Sequence, residues 1–370
     1  MSAARLRVAL VGLGWAGREI WLPRLHEHGR YTVTAVVDPD PAARASAGVP
    51  TAPASVEDLD PATVDLAVVA VPNHLHSPVA TRLLARGVPV FLEKPVCLSV
   101  AEADQLAAAE REGGAVLLAG SAARYRTDVR ALLALAAELG PIRHLDLSWV
   151  RAHGVPRAGG WFVRREQAGG GALLDLGWHL LDTVEPLLGP TVFDQVIGTV
   201  SADFVNDRSR RARWKETGDD VASATSDTSG AGDVEDTARG FLVTDRGVSV
   251  ALRTSWASHE TRDTTTITVD GGAGTATLRC TFGFSTNRQP ASVLTRAWHG
   301  ATKPVPVPEE PVGIEYSRQL DELPGLLADP SRRGTVIAQS RLMISAFERL
   351  YDSARSAGRT PAVAGAGHGR

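Results

Sequence analysis

The chain has 370 residues, 44% of them hydrophobic and 22% charged, with a formal net charge of −3 at pH 7. That length is too great for one ordinary core and suits two domains, and the charge offers no electrostatic case for nucleic acid or a membrane surface. Two cysteines, Cys97 and Cys280, leave no disulfide framework and no thiolate metal site, which fits a reducing cytoplasm; the N-terminus lacks the apolar core of a signal peptide, and no apolar run is long enough to span a bilayer.

In the first third, short apolar runs alternate with helical patterns. Residues 7–11 read as a buried strand and 12–17 as a Gly-rich turn opening a helix. Further strands are predicted at 33–37, 66–70, 88–92 and 116–119, with helical segments such as 79–86 and 100–111 between them. This alternation predicts a parallel sheet whose carboxyl edge gathers ligands. After residue 125 the texture changes. A helix over 127–139 is followed by strand-like alternation at 142–151, 192–202, 239–243, 248–255, 264–270 and 275–278. Few helices separate the later strands, so a mostly antiparallel sheet is expected. Residues 304–311 read as a proline-rich connector and 316–327 and 336–356 as closing helices. The stretch 206–236 turns from basic to acidic and is rich in Ser, Thr, Gly and Asp, so a flexible loop is expected; the small, polar tail 359–370 reads as disordered.

The turn Gly12-Leu13-Gly14-Trp15-Ala16-Gly17 has the spacing of a dinucleotide cradle. Gly12 permits the tight turn, Gly14 lets backbone approach a pyrophosphate, and Gly17 allows close helix packing, with the helix N-terminus presented to the anion. Asp38 lies about twenty residues on, where an acid accepts hydrogen bonds from the adenosine ribose and repels a 2′-phosphate. NAD is therefore favoured over NADP. The expected fold is an α/β N-terminal Rossmann domain over 1–123, then an α+β C-terminal domain over 124–358 with a large, mostly antiparallel open sheet. The exposed face of such a sheet needs cover, which predicts a homodimer or homotetramer through it.

The chain holds three lysines, Lys94, Lys215 and Lys303. Lys94 sits in Glu93-Lys94-Pro95, directly after a predicted strand and near where a nicotinamide ring would lie. A lysine beside that cationic ring is suited to exchanging a proton with an alcohol. A second chemical segment runs from Gly169-Gly170-Gly171 to Asp182. Asp175 and His179 are four apart, which on an α-helix shares one face, so the carboxylate is expected to orient the imidazole or to bind the same substrate hydroxyls. Asp182, three past His179, is a further candidate partner. One well-placed histidine without a cysteine argues against zinc.

Together these segments, with Val71-Pro72-Asn73-His74-Leu75-His76 and Arg124-Tyr125, resemble the Gfo/Idh/MocA oxidoreductase family over nearly the whole chain. The resemblance implies that Lys94, Asp175 and His179 form the catalytic group. It implies that Gly12, Gly14, Trp15, Ala16, Gly17, Asp38, Pro72, Asn73, His76, Glu93 and Lys94 meet the cofactor, and that Arg124 and Trp161, with Asp175 and His179, lie near a sugar-like substrate. It further implies NAD-dependent oxidation of a ring hydroxyl of a sugar, nucleotide sugar or aminoglycoside. A keto-sugar reductase is the alternative within the class, and a non-catalytic NAD-binding regulator the alternative outside it. Two residues depart from the family pattern: Ala122 stands where asparagine is common, and Trp21 where the first helix often has histidine.

Overall fold

The computed structural model describes residues 5–157, 159–212 and 231–357. The tail 358–370 and residues 213–230 of the expected loop lie outside the described residues.

Five strands, β1 (Leu6–Val11), β2 (Tyr31–Val37), β3 (Leu66–Val69), β4 (Val90–Leu92) and β5 (Leu117–Ala119), form one sheet in the order β2-β1-β3-β4-β5. Every pairing in it is parallel. Its strands are short runs of Val, Leu and Ala buried on both faces, as a sheet covered by helices requires. The order reverses between β1 and β3, and ligands of such sheets collect outside the carboxyl ends at that point.

The second sheet has eight strands: β6 (Ile142–Val150), β7 (Phe193–Ser201), β8 (Thr237–Thr244), β9 (Ser249–Ser255), β10 (Thr264–Gly271), β11 (Gly274–Cys280), β12 (Val293–Trp298) and β13 (Ala301–Val305). Their order is β13-β12-β11-β10-β6-β9-β8-β7, antiparallel throughout except where β6 meets β9. One expectation is corrected here. The proline-rich stretch read as a connector begins inside β13, with Pro304 on its edge strand. An edge tolerates a residue that cannot donate to the ladder, so the proline did not prevent a strand.

The helices after this sheet return to both domains. Helix Ile314–Ala328 sends Leu320 and Leu323 into the cluster holding Trp21, Leu25 and Tyr31 of the first domain. Helix Thr335–Ala357 lies along β7, where Leu350 sits over the cross-strand pair Gly198 and Gly240. The expectation of a flexible loop is corrected at its described C-terminal end. Residues 231–236 are held, because Asp236 accepts from the N–H groups of Phe204 (2.5 Å) and Val205 (2.8 Å) and its own N–H donates to Ser201 (3.1 Å). Among the described residues, no helix is long and apolar enough to cross a membrane.

Candidate active site

Loops leave the carboxyl ends of β1 to β4 on one edge. Gly12 follows β1 at φ +93°, and a Cβ there would lie 2.6 Å from the Ala70 carbonyl oxygen. Only glycine fits that turn. A Cβ on Gly17 would strike the Gly12 carbonyl, so the helix start rests on the turn. Gly14 differs, because it is exposed and a Cβ built on it meets nothing within 4 Å. This open space beside the helix start is where a pyrophosphate would approach and a side chain would intrude. After β2, Asp38 accepts from the N–H groups of Leu13 (2.7 Å) and Asp40 (2.9 Å), tying the two turns together. Arg44 donates to the carbonyls of Asp38 (2.6 Å) and Pro39 (3.0 Å), so it braces that turn. The cradle fits NAD.

Ala16 opens a π-wound turn, Ala16–Trp21. Trp15 meets Phe284 edge-on at 5.5 Å, Phe284 stacks on Tyr316 at 5.6 Å, and Tyr316 meets Trp21 at 5.6 Å. Aromatic rings from both domains thus close around the Gly-rich turn. Trp21 donates its indole N–H to Glu93 Oε1 (2.8 Å), and the Lys94 backbone N–H donates to Oε2 (3.2 Å). Burial pushes the Glu93 carboxyl up, opposed by the Lys94 charge and these two donors. The departure at Trp21 therefore still supplies an N–H, and it points at Glu93. Pro72 precedes helix Asn73–Ala85, whose first residue donates its amide to Ala168 (2.9 Å). His76 is 1% exposed, with its ring nitrogens 2.6 Å and 2.8 Å from the carbonyls of Pro95 and Val71. Asn73 and His76 thus join the turn after β3 to the segments on either side.

Lys94 Nζ donates to Asp175 Oδ1 at 2.7 Å. The second carboxylate oxygen accepts from the Trp256 indole N–H at 3.0 Å. Burial pushes the Asp175 carboxyl up, but the Lys94 ammonium and the Arg151 guanidinium overcome it and hold it well below the usual range. His179 lies against Trp149, ring centroids 5.5 Å apart, and its ring makes no hydrogen bond to another described residue. Burial and the Lys94 charge hold that imidazole down at about 3, so it is neutral. The expected Asp175–His179 hydrogen bond is corrected accordingly. The residues Leu173–Gly177, which include Asp175 and end two before His179, are wound as a π turn. Bonds five residues apart mean that four residues no longer complete a turn, and Asp175 swings to Lys94 and Trp256 instead.

Asp182 is also not the partner of His179. It accepts from Arg124 Nη2 (2.7 Å) and Ser121 Oγ (3.1 Å), while Arg124 Nε donates to its carbonyl (2.7 Å). Arg124, expected near the substrate, is held by Asp182 and, at 3.3 Å, by Glu185. Trp161 packs on Phe162 at 4.6 Å, and the Phe162 ring lies 6.0 Å from Lys94 Nζ and 6.0 Å from the Trp256 ring. Sequence reasoning missed Phe162, Trp256, Arg151 and Trp149. Each arrives from a segment with no motif of its own.

The three glycines before Asp175 thread a tight passage. A Cβ on Gly170 would strike the Tyr351 hydroxyl, and one on Gly171 the Glu235 carbonyl. Glu235 Oε1 accepts from the N–H groups of Gly171 (2.8 Å) and Leu173 (3.1 Å) and from the Tyr351 hydroxyl (2.8 Å). A carboxylate at a helix start satisfies donors the helix cannot. Among the described residues, no cluster of three His, Cys, Asp or Glu is placed to hold a metal ion.

The buried histidines make stability depend on pH. His179 at about 3 and His76 at about 4 lie below their ordinary value of 6.5. Between those values the unfolded chain binds more protons than the folded one. Their contribution is complete above about pH 6.5 and is lost as pH falls toward the folded values. The raised carboxyls of Glu93 and Glu235 act in the opposite sense. The measurement is therefore a difference: denaturant unfolding at pH 7.5 and 5.0 is expected to show a smaller loss of stability on acidification in His179→Asn than in the wild type. Equal losses would contradict the assignment.

Known proteins resemble this chain in both of its halves. Residues 6–121 match the pattern of an oxidoreductase family with an NAD-binding Rossmann fold, and 128–277 that of the GFO/IDH/MocA C-terminal domain. A protein of Amycolatopsis mediterranei (strain S699), provisionally named a UDP-kanosamine synthase oxidoreductase subunit, is 60% identical over 356 residues, covering 95% of this chain and 97% of its own. D-glucoside 3-dehydrogenase of Escherichia coli (strain K12) is 30% identical over 199 residues, 51% of this chain and 56% of its own. The structure of an aldose-aldose oxidoreductase from Caulobacter crescentus superposes with a TM-score of 0.74 at 22% identity, covering 95% of this chain and 98% of that one, and so shares the fold. With an NAD-binding domain of the matching sequence pattern joined to the matching C-terminal domain, this chain belongs to the Gfo/Idh/MocA oxidoreductases.

Proposed function

We propose that this enzyme moves a hydride between NAD and a ring carbinol carbon of a sugar, the preferred substrate being a nucleotide-linked sugar such as UDP-glucose, oxidised at C3 to a ketone that a later transamination would consume. The observation that carries the reading is the Lys94–Asp175 ion pair beside a neutral His179, at the sheet edge that carries the Gly14 cradle. The names of the relatives support a UDP-linked sugar and the 3-position.

Bound NAD supplies the hydride acceptor. The protein's own groups handle the proton. Lys94, paired with Asp175, acts as a cation that donates a hydrogen bond to the reacting oxygen and stabilises charge developing there. His179 has no hydrogen-bond partner among the described residues to displace, so it accepts the hydroxyl proton as the C–H bond breaks and the C=O bond forms. Run in reverse, the same groups serve a reductase direction, His179 returning the proton to the oxygen as hydride reaches the carbon. A regulator that merely binds NAD has no use for a partly buried ion pair, which is costly to keep without a role. The two buried cysteines are in keeping with the cytoplasm.

The exposed face of the second sheet carries Ile197 (67% exposed) directly across from Phe241 (51%). We infer a homodimer or homotetramer closing on it. Light scattering at micromolar concentration is expected to give a multiple of the 39.1 kDa chain mass, and a monomer would contradict it.

The test of function incubates the protein with NAD, or with NADP, and a panel of nucleotide sugars, free hexoses, inositols and aminoglycosides, reading reduced cofactor with a carbonyl trap present. Turnover of UDP-glucose or a related nucleotide sugar is expected, with Lys94→Met at least about 100-fold slower. Turnover confined to free sugars or inositols would overturn the nucleotide-sugar reading. Silence with every alcohol, together with oxidation of NADH by a keto-sugar, would reverse the direction.

A further inference from the structure

Trp256 follows β9 and is fully buried. Its backbone N–H donates to Asp236 at 2.8 Å, so the residue is fixed in the sheet. Its indole N–H has one acceptor, Asp175 Oδ2 at 3.0 Å, while Lys94 occupies Oδ1 at 2.7 Å. The Phe162 ring lies 6.0 Å from both Lys94 Nζ and the Trp256 ring. A carboxylate gripped at both oxygens from two different segments cannot rotate. We propose that Trp256 is a positioning residue: its N–H commits Asp175 to Lys94 and keeps the carboxylate off His179, four residues further along the chain. This deepens the proposed function and rests on it for the kinetic part alone.

The charged and titratable groups facing this carboxylate come from four segments. They are Lys94 after β4, Arg151 after β6, His179 on its own helix and, further off, Tyr316 on the helix Ile314–Ala328. Lys94 and Arg151 are cations, and both push protons off His179. Asp175 is the one group acting the other way on that imidazole. Its orientation therefore decides whether His179 stays neutral and ready to accept a proton. Without the indole donor, Oδ2 is left unsatisfied inside the protein, a state costly enough to drive a search for another donor. A protonated His179 satisfies it, since a carboxylate beside an imidazole favours the imidazolium.

Trp256→Phe keeps the aromatic bulk and removes the N–H. The expected result is a rise of at least one pH unit in the titration of His179, followed by NMR of the imidazole carbon-bound protons and assigned with His179→Asn. With the substrate found by the panel, the acidic limb of kcat is expected to move up in pH by a similar amount. At the wild-type optimum kcat should fall about tenfold with KM little changed, because the freed carboxylate no longer holds Lys94 at the reacting oxygen. Trp256→His, which restores an N–H on a flat ring, is expected to recover part of both. An unchanged His179 titration in a Trp256→Phe protein that melts and binds NAD like the wild type would overturn the proposal. If that variant does not fold, the His variant decides: a His179 titration raised by a fraction of a pH unit supports the proposal, and one identical to the wild type overturns it. A wild type that turns over nothing would sink the proposed function and still leave the NMR titration to judge Trp256.

Discussion

The ion pair between Lys94 and Asp175 is the interaction around which the rest of this structure is arranged. Its side chains are 17% and 12% exposed, so both charges have left most of their water behind. Such a pair persists only where geometry is good and the remaining lone pairs are met. Here the good geometry comes from distant segments. Lys94 is placed by the end of β4, with Glu93 beneath it held by Trp21. Asp175 is placed by a π turn whose start is satisfied by Glu235 and whose second oxygen is met by Trp256. The two halves of the pair belong to different domains, so the pair also joins the cofactor edge to the large sheet.

That arrangement explains why the neighbouring charges sort as they do. Arg124 is absorbed by Asp182 and Glu185, leaving Asp175 to Lys94. His179 receives a cationic field from Lys94 and Arg151 and no hydrogen bond from a described residue, so it remains neutral. A neutral acceptor next to a fixed cation is the pairing that a carbinol–ketone interconversion requires, because proton and hydride leave neighbouring atoms together.

Much of this was legible in the chain. The Gly-rich turn, Asp38 and Lys94 follow strands whose apolar runs are plain, and their chemistry is carried by spacing that local backbone physics fixes. The large antiparallel sheet was legible from its alternation, apart from β12, which drew no strand reading, and β13, whose proline read as part of a connector although an edge strand accepts it. What did not show was long-range pairing. Asp175 and His179 were read as one α-helical face, and no rule of spacing announces a π turn. Asp182 was read as a local partner of His179, but it answers Arg124, 58 residues away in sequence. Trp256 lies 81 residues from Asp175, and a lone tryptophan after a strand reads as core. Glu235 sits at the end of an acidic, Gly- and Ser-rich stretch, and composition alone classed it with a loop although its carboxylate holds the helix that carries Asp175.

The central claim is that Lys94 and Asp175 work as one unit. A double-mutant cycle on kcat/KM tests it most directly, comparing Lys94→Met, Asp175→Asn and the double variant with the wild type on the substrate that the wild type prefers. Groups that act together show strongly non-additive losses. The account predicts that the double variant is no more impaired than the worse of the two single variants. Losses that multiply would show two independent contributions and contradict it.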